Sequence, residues 1–169
     1  MKQSKFVVVF GVLLLGFTIS SFAQVVTLPE ITVRAVNYKY LKATNNKETP
    51  VMVKRLEREA AVFDVKSAEF YEDEYDNYFI SFFIPDGTIL AAYDKNGKLL
   101  RTTEKYKNVA VPATIRETIA KRYPQWSITK DVYLVTYHDT GKTTKKYKIL
   151  LEKGDKRMRL KMDDKGTIL

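Results

Sequence analysis

Tyr78-Phe-Ile-Ser-Phe-Phe-Ile84, Pro85-Asp-Gly87, Thr88-Ile-Leu-Ala-Ala-Tyr93, Asp94-Lys-Asn-Gly97 and Lys98-Leu-Leu-Arg-Thr102 follow one another without a gap. Runs rich in aromatic and β-branched residues, parted by short Pro-Asp-Gly and Asp-Lys-Asn-Gly turns, read as strands. Connections this short join antiparallel neighbours. Upstream, Glu69-Phe-Tyr-Glu72 reads as one more strand, set off by the turn Asp73–Asn77. The stretch thus predicts a four-stranded meander.

Before it, Val51, Val53, Leu56, Ala60 and Phe63 recur at helical steps among charged residues. Thr49-Pro50 supplies a helix start, with the hydroxyl as cap and proline at the first helical position. The same order then begins again. Val111-Pro112 opens a helix through Ile115, Ile119 and Tyr123, and Pro124 stops it. Strands are expected at Ile128–Tyr137, Lys145–Lys153, Lys156–Met162 and Thr167–Leu169. At a shift of 69 residues, Asp94-Lys-Asn-Gly-Lys-Leu-Leu100 meets Asp163-Asp-Lys-Gly-Thr-Ile-Leu169, and Tyr78, Ile80 and Phe82 meet Tyr147, Ile149 and Leu151. An internal repeat of this length argues for two similar halves. The expected fold class is α+β: two tandem units, each one helix plus a four-stranded antiparallel meander, with the helices on one face of the sheet.

The helix, the Tyr123-Pro-Gln-Trp126 that follows it and the paired Asp-x-x-Gly-x-Leu/Ile-Leu strand ends resemble the PepSY-like exported proteins, which share a fold with the small protein that inhibits β-lactamases. The resemblance covers Thr49 to Leu169. It implies partner proteins or peptides gripped on the open sheet face, inhibition being one such role. That inhibitor carries disulfides whereas this chain has no cysteine, and none of its contact residues can be matched here. Its particular target is therefore not implied.

The chain begins with Lys2 and Lys5, an apolar run from Phe6 to Phe17, and Ser21-Phe-Ala23. A basic start, a short apolar centre and small residues at the cleavage positions make a secretory signal peptide. The run is interrupted by Gly11, Gly16 and Thr18, and a spanning helix needs roughly 20 predominantly apolar residues. No transmembrane segment is expected after cleavage. The expected organisation is a signal peptide over 1–23, a partly irregular segment over 24–48, and a PepSY-like domain over 49–169 with halves 49–104 and 109–169. The expected location is periplasmic or secreted. Cleavage leaves 27 of the 29 basic residues against 20 acidic ones, a net charge of +7.

Several chemistries are excluded or left without support. Zero cysteines remove thiol catalysis and thiolate metal sites. The single histidine, His138, falls at a hairpin tip beside Asp139. The mature chain holds only Ser67, Ser81 and Ser127, none with a basic partner nearby in sequence. No phosphate loop, nucleophile elbow or His pair at metal spacing occurs. The acidic run Glu69, Glu72, Asp73, Glu74, Asp76 lacks the spacing and central glycine of a calcium loop. The basic residues are spread among acids, as on a solvated surface. The expectation is a non-enzyme without cofactor or metal, binding a protein or peptide of the cell envelope, with no nucleic acid partner. The oligomeric state stays open.

Strand alternation divides the faces. Tyr78, Ile80, Phe82, Ile89, Ala91, Tyr93, Tyr147, Ile149, Leu151, Met158, Leu160 and Met162 are expected inside. Phe79, Ser81, Phe83, Thr88, Leu90 and Ala92, with Lys148, Leu150, Glu152, Arg157, Arg159 and Lys161, are then outside; a slip of one residue reverses both sets. The candidate partner-binding residues are Phe79, Phe83, Leu90, Arg157, Arg159 and Lys161. Tyr133 and Tyr137 are added because alternation places them on one common face, the side being undecided. Two alternatives accompany this reading. In one, an anionic envelope polymer or lipid surface is held by the basic second half; in the other, a short strand at Ile31–Val36 covers Phe79 and Phe83. Exported protein is predicted to begin at Gln24, and an intact mass that retains residues 1–23 refutes the assignment of location.

Overall fold

The computed structural model describes residues 37–169. The signal peptide, the residues 24–36 and the strand expected at Ile31–Val36 lie outside the described residues. Three helices and six strands follow in order: α1 (Tyr38–Thr44), α2 (Val51–Val62), β1 (Asn77–Ile84), β2 (Gly87–Asp94), β3 (Leu99–Lys107), α3 (Ala113–Arg122), β4 (Ser127–His138), β5 (Thr143–Lys153) and β6 (Lys156–Asp163). All six strands form one sheet in the order β1-β2-β3-β4-β5-β6, every neighbouring pair antiparallel. The fold is α+β, with two helices and three strands, then one helix and three strands.

The expected fourth strand of each half is absent. Glu69–Glu72 follows a 3-10 turn at Val65–Ser67 and is not extended into the sheet. Its aromatic residues pack on Tyr78 instead: the Tyr71 ring stacks at 5.4 Å, and the Tyr78 hydroxyl donates to the Glu72 carbonyl. Side-chain packing replaces backbone pairing there. At the other end, Thr167–Leu169 makes a single bridge, Met162 with Ile168.

The two turns that align at a shift of 69 residues share one hydrogen-bond pattern. Asp94 Oδ1 accepts from Asn96 N (2.8 Å) and Lys98 N (2.9 Å). Asp163 Oδ1 accepts from Lys165 N (3.0 Å) and Thr167 N (2.7 Å). Gly97 and Gly166 close these turns at φ 79° and 86°, a conformation that glycine adopts without steric cost. The helix starts correspond too, but not through threonine. Pro50 and Pro112 are themselves the N-cap residues, and neither makes a side-chain cap. Thr49 ties down the preceding loop, accepting from Asn46 N and donating to Asn46 Oδ1, both at 2.9 Å.

The helices lie on the sheet face expected to be inside. α2 buries Val53, Leu56, Ala60 and Ala61, while Val51, expected in the core, is 83% exposed. Tyr93 donates to Ala60 O at 2.6 Å, and Phe63 meets Phe82 edge-on at 5.4 Å. α3 buries Ile115 and Ile119. It lies so close to the Asp163–Gly166 turn that a Cβ at Gly166 would stand 3.0 Å from Thr114 O.

Two carboxyl groups lie inside this core. Glu104 on β3 and Glu57 on α2 are both buried. Glu104 Oε1 accepts from Tyr40 (2.8 Å) and Thr102 (2.6 Å), and Oε2 from Tyr106 (2.8 Å). Glu57 Oε2 accepts from Asn45 Nδ2 at 2.7 Å. Its Oε1 has no hydrogen-bond partner among the described residues. Burial, with the Glu104 charge beside it, pushes the Glu57 carboxyl up to about 9. Burial likewise raises the Glu104 carboxyl, against the opposing effect of its donors.

A folded-state value raised above the unfolded one means that stability is full below the usual carboxylate range and is lost as pH rises toward about 9. Stability is predicted to fall from pH 5 to pH 9, with Glu57 alone contributing up to about 1.4 kcal/mol per unit. Glu57→Gln, which keeps the shape of the side chain without titrating, should reduce that slope and raise stability above neutrality. A wild-type stability independent of pH over this range contradicts the raised Glu57 carboxyl.

Candidate functional site

The face opposite the helices is uncovered among the described residues. Alternation brings one set of side chains onto it, and the register arranges them in rows across the strands. One row runs Phe79, Ala92, Arg101, His138 and the next Ser81, Leu90, Thr103, Thr136, Thr144. A third runs Phe83, Thr88, Lys105, Leu134, Lys146, Asp163. Beyond it lie Lys107, Val132, Lys148, Lys161, and then Lys130, Leu150, Arg159.

The face has two regions. At the β1–β2 edge Phe79, Phe83 and Leu90 are 65%, 77% and 44% exposed. Strand β1 carries no charge from Asn77 to Ile84. From β3 to β6 the face is cationic: Arg101, Lys105, Lys107, Lys130, Lys146, Lys148, Arg159 and Lys161 have no ion pair among the described residues. Arg157 alone pairs, with Glu152 at 3.0 Å. Asp163, at the end of its row, spends its carboxylate on the turn amides, which hold it below the usual range. Val132, Leu134 and Leu150 sit half-buried among the lysine and arginine stems, as long cationic side chains shield apolar neighbours.

The structure therefore keeps six candidate residues on the open face but divides them. Phe79, Phe83 and Leu90 lie at one edge. Arg157, Arg159 and Lys161 lie on β6 at the other, five strand spacings or about 24 Å away. They do not form one compact site. Tyr133 and Tyr137 are on the opposite, covered face and are corrected accordingly. Tyr133 stacks between Tyr147 (4.5 Å) and Tyr106 (6.1 Å), and Tyr137 meets Tyr40 edge-on at 5.1 Å. Both are buried beneath the helices.

His138 is exposed at the β4–β5 turn, with Thr140 Oγ1 and Asp139 Oδ1 each 3.3 Å from its Nδ1. The acid beside it is engaged by Lys98 Nζ at 2.7 Å, which holds the Asp139 carboxyl below its usual range. No group of acids, His or Cys with metal-binding geometry occurs among the described residues. None of their helices is long and apolar enough to cross a membrane.

No protein-family model matches the chain, and no curated protein matches it. Among solved structures it is similar to a BLIP-like protein from Bacteroides fragilis, at 18% identity and a TM-score of 0.34, over 58% of this chain and 68% of that one. It is also similar to a DUF2874 family protein from Bacteroides uniformis, at 12% identity and a TM-score of 0.35, over 59% of this chain and 71% of the other. A DUF2874 family protein from Bacteroides ovatus aligns over 85% of each chain at 12% identity and a TM-score of 0.34. Likenesses this slight assign the chain neither a fold family nor a function.

The two faces predict opposite mutational outcomes. Tyr133→Ala should destabilise by about 3–5 kcal/mol, as removal of a buried aromatic does. Phe83→Ala should change stability by no more than about 0.5 kcal/mol. Thermal unfolding of both variants checks the assignment, and a large loss at Phe83 inverts it.

Proposed function

We propose that this chain is an exported, non-catalytic binding module of the cell envelope that grips a protein or peptide on its open sheet face. The observation that carries the reading is that bare face, on which Phe79, Phe83 and Leu90 stand exposed on a stiff antiparallel scaffold. Contiguous apolar groups held in water call for a cover or a partner. Aromatic and arginine side chains supply most of the energy of protein interfaces, and the face carries both kinds, at its two edges. Inhibition of an envelope enzyme is one form this binding takes.

The perturbed acids support the non-catalytic reading. Glu57 and Glu104 are sealed in the core where no substrate reaches them, and His138 stands exposed at a turn. We also take the two halves as tandem units of the PepSY-like kind, each with three strands, which the matched Asp94 and Asp163 turns support.

A second reading draws on the cations of β3–β6, among which Arg157 is ion-paired with Glu152. An anionic envelope polymer or lipid surface would be held there through Arg157, Arg159 and Lys161. Salt separates the two, since attraction to dense anions weakens steeply with ionic strength.

A photo-cross-linking residue placed at position 83 or 150, in cells exporting the protein, should yield discrete protein adducts. The same group at position 58, on the outer side of α2, should not. Phe83→Ala and Arg159→Ala should keep the fold and weaken partner capture by more than tenfold, about 1.4 kcal/mol. Two well-folded variants that still capture normally remove the open face as the site.

A further inference from the structure

Three rows of the open face share one pattern. Lys105, Leu134, Lys146 is the first; Lys107, Val132, Lys148 the second; and Lys130, Leu150, Arg159 the third. In each an apolar side chain is flanked by cations on both neighbouring strands. Rows are about 6.8 Å apart along a strand, and the flanking cations are two strand spacings apart, about 9.6 Å. The result is a shallow apolar track following β4 and stepping onto β5, bordered on both sides by positive charge. Recesses of about 560 and 650 Å³ open along it, lined by Val132, Leu150, Lys130, Lys148, Arg157 and Arg159.

The spacing selects the occupant. A separation of about 9.6 Å is close to the diameter of an α-helix with its side chains, about 10–12 Å. A helix laid along β4 would set an apolar stripe onto Leu134, Val132 and Leu150. Acidic residues on its two flanks would meet Lys105 and Lys107 on one side and Lys146 and Lys148 on the other. An amphipathic helix offers an apolar stripe with polar flanks. A flat bilayer meets the tips of the long cationic side chains before it reaches the recessed apolar groups. A simple polyanion has nothing to place on them.

Resting on the reading of the open face as a protein-binding surface, we infer that this track docks an acidic amphipathic helix of a partner protein. Such a helix covers the second face of the sheet as α1, α2 and α3 cover the first. It also neutralises cations that have no partner among the described residues.

The test uses the exported protein and a synthetic helical peptide of roughly 14 residues, about 21 Å long, with a leucine stripe flanked by glutamates. Fluorescence anisotropy should show saturable binding. A scrambled peptide of the same composition should bind at least tenfold more weakly. Lys105→Glu with Lys146→Glu should lower the affinity at least tenfold, and Leu134→Asp should do the same. Arg55→Glu with Arg58→Glu, an equal change of charge on the outer side of α2, should alter it less than twofold. Thermal unfolding verifies that each variant is folded.

Equal binding of the scrambled peptide overturns the inference, because the face would then read charge alone. Tighter binding of phosphatidylglycerol vesicles, or of polyphosphate, overturns it in favour of a lipid surface or a polymer. If the amphipathic peptide fails to bind while position 83 still cross-links to protein, this inference falls and the proposed function stands. If both fail, both fall.

Discussion

A carboxylate inside a protein is costly unless donors surround it, and Glu104 organises the molecule around that requirement. It has three donors from two elements: Tyr40 on α1, and Thr102 and Tyr106 on its own strand. Glu57 on α2 is buried in the same core, its carboxyl raised by burial and by the Glu104 charge. The N-terminal helices are thereby tied to the middle of the sheet rather than resting on it by apolar contact alone. Glu104 points to one face only, so its satisfaction fixes where the helices sit. With α3 on the same side, the other face is bare among the described residues. The open face is thus a consequence of how a buried acid is satisfied.

The same cluster explains where the sequence is hard to read. β1, β2, β5 and β6 are legible because apolar and polar residues alternate, or aromatic runs are cut by Gly-containing turns. The second half of β3 is not, because Thr102, Glu104 and Tyr106 turn inward while Thr103, Lys105 and Lys107 turn outward. Two polar sets in alternation look like a linker. Lys105 and Lys107 consequently went unrecognised as a border of the site. α1 is missed for a related reason. Its seven residues include only Tyr40 and Thr44 as buried groups, too few for a helical period, and Tyr40 is needed for its hydroxyl as much as for its ring. Tyr133 and Tyr137 were assigned to a common face correctly, but alternation cannot say which; the partners Tyr106, Tyr147 and Tyr40 decide it.

Charge is sorted by strand as well as by face. β1 and β2 expose phenylalanine and leucine, whereas β3 to β6 expose lysine and arginine. Among the described residues β1 is an edge strand, and an edge invites strand addition, a liability that proteins commonly blunt with charge. β6, the other edge, follows that practice with Lys156, Arg157, Arg159 and Lys161. β1 does not, and its open-face Phe79 and Phe83 stay bare among the described residues. A feature that costs solubility and contributes nothing to the core is better explained by contact with something else.

The cations of β3 to β5 follow the same logic in electrostatic terms. Like charges crowded on one surface repel and lower the stability of the compact state. They are tolerated because the backbone beneath them is held from the other side by the tyrosine stack and the hydrogen bonds of Glu104. Lys105 is the residue next to Glu104, so one strand anchors the helices inward and presents the binding border outward. A surface fixed in this way loses little freedom when a partner arrives, and the ordering cost of association is correspondingly small. The buried acid and the exposed lysine are therefore two sides of one device. The first ties the helices to the sheet, and on the proposed reading the second belongs to a charge pattern that a partner would neutralise.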